Sequence, residues 1–204
     1  MKKLHRDDLY GWSVFDADRN LDFHGTAWVR PDGNVLIDPV PMSDHDAAHL
    51  KSLGGATWIV VTNGDHVRAA DELARTWWAK LAGPVAERST LGLACDRWLA
   101  DGDELVEGLR VMALEGSKTP GELALVIAPD TLVCGDLVRG HRGGYLNLLP
   151  DAKLKDKGRA LASVRRMAEI EGIEAVLVGD GWPVFRSGRA RLLELLDAAS
   201  PLEP

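Results

Sequence analysis

Apolar positions fall into short runs separated by turn-forming residues, and the spacing changes character along the chain. Residues 23–30 and 34–38 read as two strands joined by Pro31-Asp32-Gly33. That tripeptide offers a preset φ, a side-chain acceptor and a permissive glycine, so a hairpin is predicted near the start. Ser43 suits the cap of a helix in which Ala47, Leu50 and Leu53 recur at helical spacing, with Gly54-Gly55 ending it. The run 56–62 is short, apolar and β-branched, as in a strand covered on both faces. It enters the polar loop Asn63-Gly64-Asp65-His66, and a helix is predicted to follow through Leu81.

The middle third reads as strands at 109–114, 122–127 and 131–134, separated by loops containing Gly, Pro and Asp. Residues 158–171 turn helical again, with Leu161, Val164, Met167, Ala168 and Ile170 on one side. A strand at 174–178 and a helix at 188–199 follow. A strict alternation of strand and helix would give a parallel doubly wound sheet. This mixed order predicts an α/β protein with two mixed β-sheets packed together and helices outside. With no repeat or long linker, the expectation is a single domain over residues 1–204.

Composition narrows the classes. Of 204 residues, 46% are hydrophobic and 27% charged, ordinary values for a globular domain. A formal charge of −7 argues against a nucleic-acid partner, which needs a basic face. The basic start lacks the apolar run of a secretory signal, and no stretch has the length of a membrane span. A cytoplasmic protein with no membrane or nucleic-acid partner and a small-molecule substrate or ligand is therefore expected. Cys95 and Cys134 are too few and too far apart for a disulfide framework or zinc ribbon, and buried free thiols are expected.

Candidate chemistry sits in four loops at predicted strand ends: Asn63-Gly64-Asp65-His66, residues 118–122, Gly135-Asp136 and Gly179-Asp180-Gly181. Together with Val35-Leu36-Ile37-Asp38-Pro39 and Trp58-Ile59-Val60-Val61-Thr62, the sequence resembles the successive landmarks of the metallo-β-lactamase superfamily, nearest in style to its glyoxalase II-like members. The resemblance runs over roughly residues 23–199 and implies a four-layer αββα sandwich. It also implies a hydrolase-like protein with a metal site, and here the sequence departs from the family. Where the family has Thr-His-x-His-x-Asp-His, this chain has Thr62-Asn63-Gly64-Asp65-His66-Val67-Arg68. Without a gap the histidine positions hold Asn63, Asp65 and Arg68; a two-residue gap would instead keep Asp65-His66 as the final Asp-His pair. The family's Pro-Gly-His becomes Pro120-Gly121-Glu122, its Gly-His-Gly becomes Gly179-Asp180-Gly181, and its bridging aspartate survives as Asp136.

Two readings stay open. In one, Asp65, His66, Glu122, Asp136 and Asp180 hold a divalent ion (manganese, magnesium, zinc or iron), and Asp65 and His66 take part in hydrolysis. An oxygen-rich donor set suits the harder ions better than zinc. In the other, no cofactor is present, and Lys118, Arg68 and Arg139 supply the missing charge as salt bridges. Arg68 at a ligand position favours the second. Asn63, Lys118, Arg139 and Trp182 are the candidate substrate-binding residues. A non-catalytic domain binding a small molecule or a protein is the alternative from another class. A third reading takes Asp16 and Asp18 as the nucleophile and acid/base of a haloacid dehalogenase-like phosphatase, with Thr62 and Asp180 assisting. Its nucleophile should end a buried apolar strand, and residues 9–15 make a poor one.

Other residues have plainer readings. His24, His45 and His49 are expected on the surface or in packing. Asp38 is expected to accept hydrogen bonds from the amides of a neighbouring loop. Trp58, Trp77, Trp78 and Trp98 are expected in the core or between helix and sheet. The basic segment 139–145 reads as a solvated loop that could also hold an anion.

Overall fold

Lys2–Lys3 (β1), Leu9–Asp16 (β2), Leu21–Trp28 (β3), Val35–Ile37 (β4), Trp58–Val60 (β5), Lys80–Pro84 (β6) and Arg97–Leu99 (β7) lie in chain order across one sheet. The computed structural model describes residues 1–199, in two units: Met1–Leu99, which holds this sheet, and Ala100 onward. β1 to β4 pair antiparallel, with Pro31-Asp32-Gly33 between β3 and β4 as the turn chemistry predicts. From β4 to β7 the pairing is parallel. Parallel neighbours need crossovers, and helices α1 (Asp44–Ser52) and α2 (Ala70–Trp77) supply the two on either side of β5. Ser43 caps α1 by accepting from the Asp46 amide. Leu36, Leu50, Ile59, Val61 and Leu73 fill the core of this unit.

The second unit holds Glu104–Val106 (β8), Leu109–Ala113 (β9), Leu123–Ile127 (β10), Thr131–Cys134 (β11), Val138–Arg142 (β12), Tyr145–Leu148 (β13) and Ala175–Val178 (β14). Its sheet has the order β14-β11-β10-β9-β8, and β12-β13 stand apart as a hairpin. β14 runs parallel to β11, Thr131 facing Ala175, while the other neighbours are antiparallel. Helices α3 (Lys157–Ala168) and α4 (Gly188–Ala199) share a core with that sheet through Val164, Met167, Leu132, Val176 and Leu192. Both sheets are thus mixed, as expected. Among the described residues no helix is long and apolar enough to cross a membrane.

Three expectations need correction. The helix after the Asn63 loop stops at Trp77 rather than Leu81. Trp78 takes a left-handed φ of 54° as its cap, and Lys80–Pro84 pairs with β5 instead. A left-handed residue breaks the helical ladder, and the chain then leaves along the sheet. The same geometry turns the Trp78 side chain outward, where it is 94% exposed rather than in the core; Trp58, Trp77 and Trp98 are half-buried. The segment 139–145 is largely strand, forming most of the β12–β13 hairpin.

One buried side chain ties the first hairpin to the first crossover. The Asn34 side chain accepts from the Arg30 amide at 3.0 Å and donates to the carbonyls of Leu53 at 2.9 Å and Gly55 at 2.7 Å. Three backbone groups thereby find partners where regular pairing has stopped. Replacing Asn34 by alanine orphans all three. The expected loss is about 2–3 kcal/mol of unfolding free energy, read from urea denaturation; a loss within error would show that solvent or other groups take over these bonds.

Candidate functional site

The candidate residues gather in two groups, one in each unit. In the first, β4 ends at Asp38, a buried aspartate with φ 46°. Its Oδ1 accepts from the Thr62 amide at 2.7 Å, the role the sequence suggests. Its Oδ2 accepts from the Thr62 hydroxyl at 2.6 Å and lies 2.8 Å from His66 Nδ1. An ionised carboxylate only accepts, so Nδ1 is the donor in this contact. His66 closes the short turn Gly64–His66, which Asn63 opens by accepting from the Asp65 amide at 2.9 Å. Asn63 and His66 are buried and Asp65 is exposed. The Arg68 side chain also reaches the end of β4. Its guanidinium donates to the carbonyls of His24 at 3.0 Å and Asp38 at 3.3 Å and lies 5.2 Å from the Phe23 ring centroid.

Glu87 belongs to this group and was not a candidate from sequence. It is buried, and a Cβ on Gly64 would run into its carboxylate. The only trace in the sequence is that glycine, which is equally suited to a loop.

The second group is a network of ions. Asp136, only 4% exposed, has Lys118 Nζ 2.9 Å from one carboxylate oxygen and Arg139 Nη2 2.9 Å from the other. The Arg139 guanidinium also reaches the buried Asp180, at 3.4 Å from Oδ2, and His141 Nε2 lies 3.3 Å from that oxygen. Asp180 Oδ1 is buried without a hydrogen-bond partner among the described residues. Glu122 has both oxygens engaged nearby in the chain: Oε1 accepts from the Leu137 amide and Oε2 from the Ser117 hydroxyl, each at 3.0 Å. Trp182 is exposed beside this network, its amide donating to the Gly140 carbonyl at 2.6 Å.

Two glycines allow this crossing. Gly140 and Gly181 form a parallel bridge, and a Cβ on either would strike the opposing backbone. Gly181 also has φ 83°, a conformation that suits glycine. The close approach sets Asp180, one residue before Gly181, against Arg139, one residue before Gly140.

The donors do not fit a divalent ion as they are arranged. Among the described residues no three His, Cys, Asp or Glu side chains gather as a ligand set. The carboxylates that would serve face fixed cations, which would repel an ion, or are bonded to the chain. The thiols offer nothing further. Burial pushes Cys95 up to about 11, and burial together with the Glu122 charge raises Cys134 as well, so both favour the protonated form.

A family model described as "Metallo-beta-lactamase superfamily" matches residues 1–199, and the chain belongs to that superfamily. Membership displaces the phosphatase reading of Asp16 and Asp18; Asp16 ends β2 and accepts from the Arg19 amide at 3.0 Å. No curated protein matches the chain. Among solved structures, a metallo-beta-lactamase from Pontibacter korlensis is similar, with TM-score 0.75, 16% identity, and 96% of this chain and 97% of that one covered. One from Hirschia baltica has TM-score 0.73 and 14% identity, covering 96% and 94%. The metallo-beta-lactamase FIM-1 from Pseudomonas aeruginosa, in its mono-zinc form, has TM-score 0.71 and 13% identity, covering 95% and 92%. At these identities the likeness shows the fold: an α/β metallo-β-lactamase-like fold of two mixed sheets and four helices.

The ion network makes a quantitative expectation. Arg139→Met leaves Asp136 and Asp180 short of a counter-charge and is expected to cost about 3–5 kcal/mol. The double variant Asp136→Asn/Arg139→Met is expected to lose less than the sum of its single changes, by at least about 1 kcal/mol. Denaturant titration of the four proteins measures this coupling, and simple additivity would remove the network from the account of stability.

Proposed function

We propose that this member of the superfamily works without a metal ion, its metal-binding histidines replaced, and that it binds a small molecule at the Lys118–Asp136–Arg139–Asp180 network. The observation that carries the reading is Asp136, whose two carboxylate oxygens face Lys118 and Arg139 at 2.9 Å each. Side-chain cations in those places supply permanently the charge that a bound ion would supply on loading. Lys118 and His141 are the partly exposed members of the network, and Trp182 lies open beside it. A ligand would meet an ammonium, an imidazole and an indole there. Asn63 and His66 would act in the first unit, His66 as the proton acceptor that Asp38 orients. The proposed setting is cytoplasmic, with a small molecule rather than a nucleic acid or membrane as partner.

A metal-assisted hydrolase of glyoxalase II-like descent is the second reading. It is favoured by one specific feature: the buried Asp180 Oδ1 without a partner, an acceptor that an ion would satisfy. Glu122, Asp136 and Asp180 would then be the donors that this unit offers, after rearrangement of the salt bridges.

Metal loading separates the two. Protein purified without chelator, then exposed to manganese, magnesium, zinc or iron, is expected to retain no stoichiometric metal by elemental mass spectrometry. Its thermal midpoint is expected not to rise in millimolar metal, which guards against a loosely held ion lost on purification. About one ion per chain, falling when Asp136 or Asp180 is replaced by alanine, would overturn the metal-free reading.

A further inference from the structure

A second place in the Ala100-onward unit carries an excess of positive charge around exposed aromatic surface. A cleft of about 570 Å³ opens between the tip of the β12–β13 hairpin and residues 183–191, where the chain enters α4. Tyr145, Phe185, Pro183, Arg186 and Arg191 line it, and no carboxylate is among the lining residues. That is against the run of the chain, which has 31 acidic residues to 24 basic ones. Tyr145 and Phe185 remain 44% and 39% exposed, although large aromatic rings gain most from burial.

Arg186 and Arg191 line the cleft, and Arg142, outside the lining, packs on its Tyr145 wall. The Arg142 guanidinium lies 4.2 Å from the Tyr145 ring centroid, and Arg191 lies 5.9 Å from the same ring. Arg191 is paired with Glu194 at 2.6 Å, whereas Arg142 and Arg186 have no carboxylate partner among the described residues. The start of α4 does not supply the charge. The Ser187 amide donates to the Glu174 carboxylate, and the Gly188 and Arg189 amides donate to the carbonyls of Glu174 and Ile173. The positive potential therefore comes from guanidinium groups, two of them with donors uncommitted to an acid. A guanidinium held against an aromatic ring keeps its edge donors in a fixed fork, which suits a carboxylate or phosphate.

We propose that this cleft binds a small planar anion: an aromatic ring that lies against Phe185 and Pro183 and carries a carboxylate or phosphate held by Arg142 and Arg186. The volume falls within the range of roughly 300–1,000 Å³ usual for small-molecule sites. None of its lining residues belongs to the Lys118–Asp136–Arg139–Asp180 network, so the inference stands apart from the function proposed above.

Calorimetric titration of the full chain tests it with salicylate as the aromatic carboxylate and AMP as the aromatic phosphate. Inorganic phosphate and adenosine serve as the anion without a ring and the ring without a charge. At least one of the two planar anions is expected to bind with a Kd below about 1 mM, and which one binds identifies the acid. The two partial probes are expected to bind at least about tenfold more weakly. Arg142→Gln and Arg186→Gln, both surface changes, are each expected to weaken binding about tenfold with an unchanged thermal midpoint. Lys153→Gln, which removes a cation elsewhere in the unit, is expected to leave the affinity alone. Absence of binding for both planar anions overturns the proposal, as does affinity unchanged in the two arginine variants. Affinity kept in those variants but lost in Lys118→Ala would also overturn it, placing the anion at the ion network and leaving the earlier reading intact.

Discussion

A carboxylate withdrawn from water beside another carboxylate must be neutralised, and the Ala100-onward unit does so with side chains. Asp136 and Asp180 share Arg139, Lys118 closes the far side of Asp136, and His141 flanks Asp180. Desolvation would otherwise disfavour both ionised groups. The rest of the local architecture follows from that demand. Glu122 is bonded to the chain itself, its oxygens accepting from the Leu137 amide and the Ser117 hydroxyl. The amide bond reaches the chain immediately after Asp136, so Glu122 fixes the turn from which Asp136 projects.

The network also sets a backbone requirement. Arg139 meets Asp180 because β12 passes the 179–182 turn at contact distance, and only chain lacking Cβ atoms allows this at Gly140 and Gly181. Trp182 then donates its amide to Gly140, and its indole covers Gly143 closely enough to exclude a Cβ there. The glycines of the basic segment are therefore packing residues as much as hinge residues. They let a hairpin tip with arginine and histidine side chains sit against the end of β14.

Much of the fold was legible in the amino-acid pattern, since burial imposes it. The boundaries of Thr131–Cys134 and Gly188–Ala199 were readable to the residue, and the Ser43 cap and the Pro31-Asp32-Gly33 turn follow from local chemistry. β6 was hidden because Lys80–Pro84 follows the α2 periodicity without a polar break, and a left-handed Trp78 is an improbable stop signal. β12 and β13 were hidden because their outer positions are His141, Arg142 and Tyr145 and a buried position is Arg139, which read as loop until the pairing is known. The candidate site divides in the same way. Landmark order identified Asp136, Asp180, Glu122 and His66, and the charge argument named Lys118 and Arg139 as counter-ions. Pairing in space could not be read: the bonds from Arg68 to the carbonyls of His24 and Asp38 have no pattern in the sequence, and Glu87 carried no signal beyond a glycine it touches.

The two units satisfy buried acids by different physics, and the difference bears on what each can do. Asp38 is solvated by hydrogen bonds from the Thr62 amide, the Thr62 hydroxyl and His66, all of which are neutral when His66 is neutral. Such a carboxylate still has charge to share with a proton arriving on the imidazole, which is what orients and stabilises a base. Asp136 is compensated by two full positive charges and has little left to offer a further cation. The first arrangement leaves a place for proton transfer; the second resembles a site already loaded. In the metal-free reading proposed above, any chemistry falls to His66 and any recognition to the exposed rim of the network.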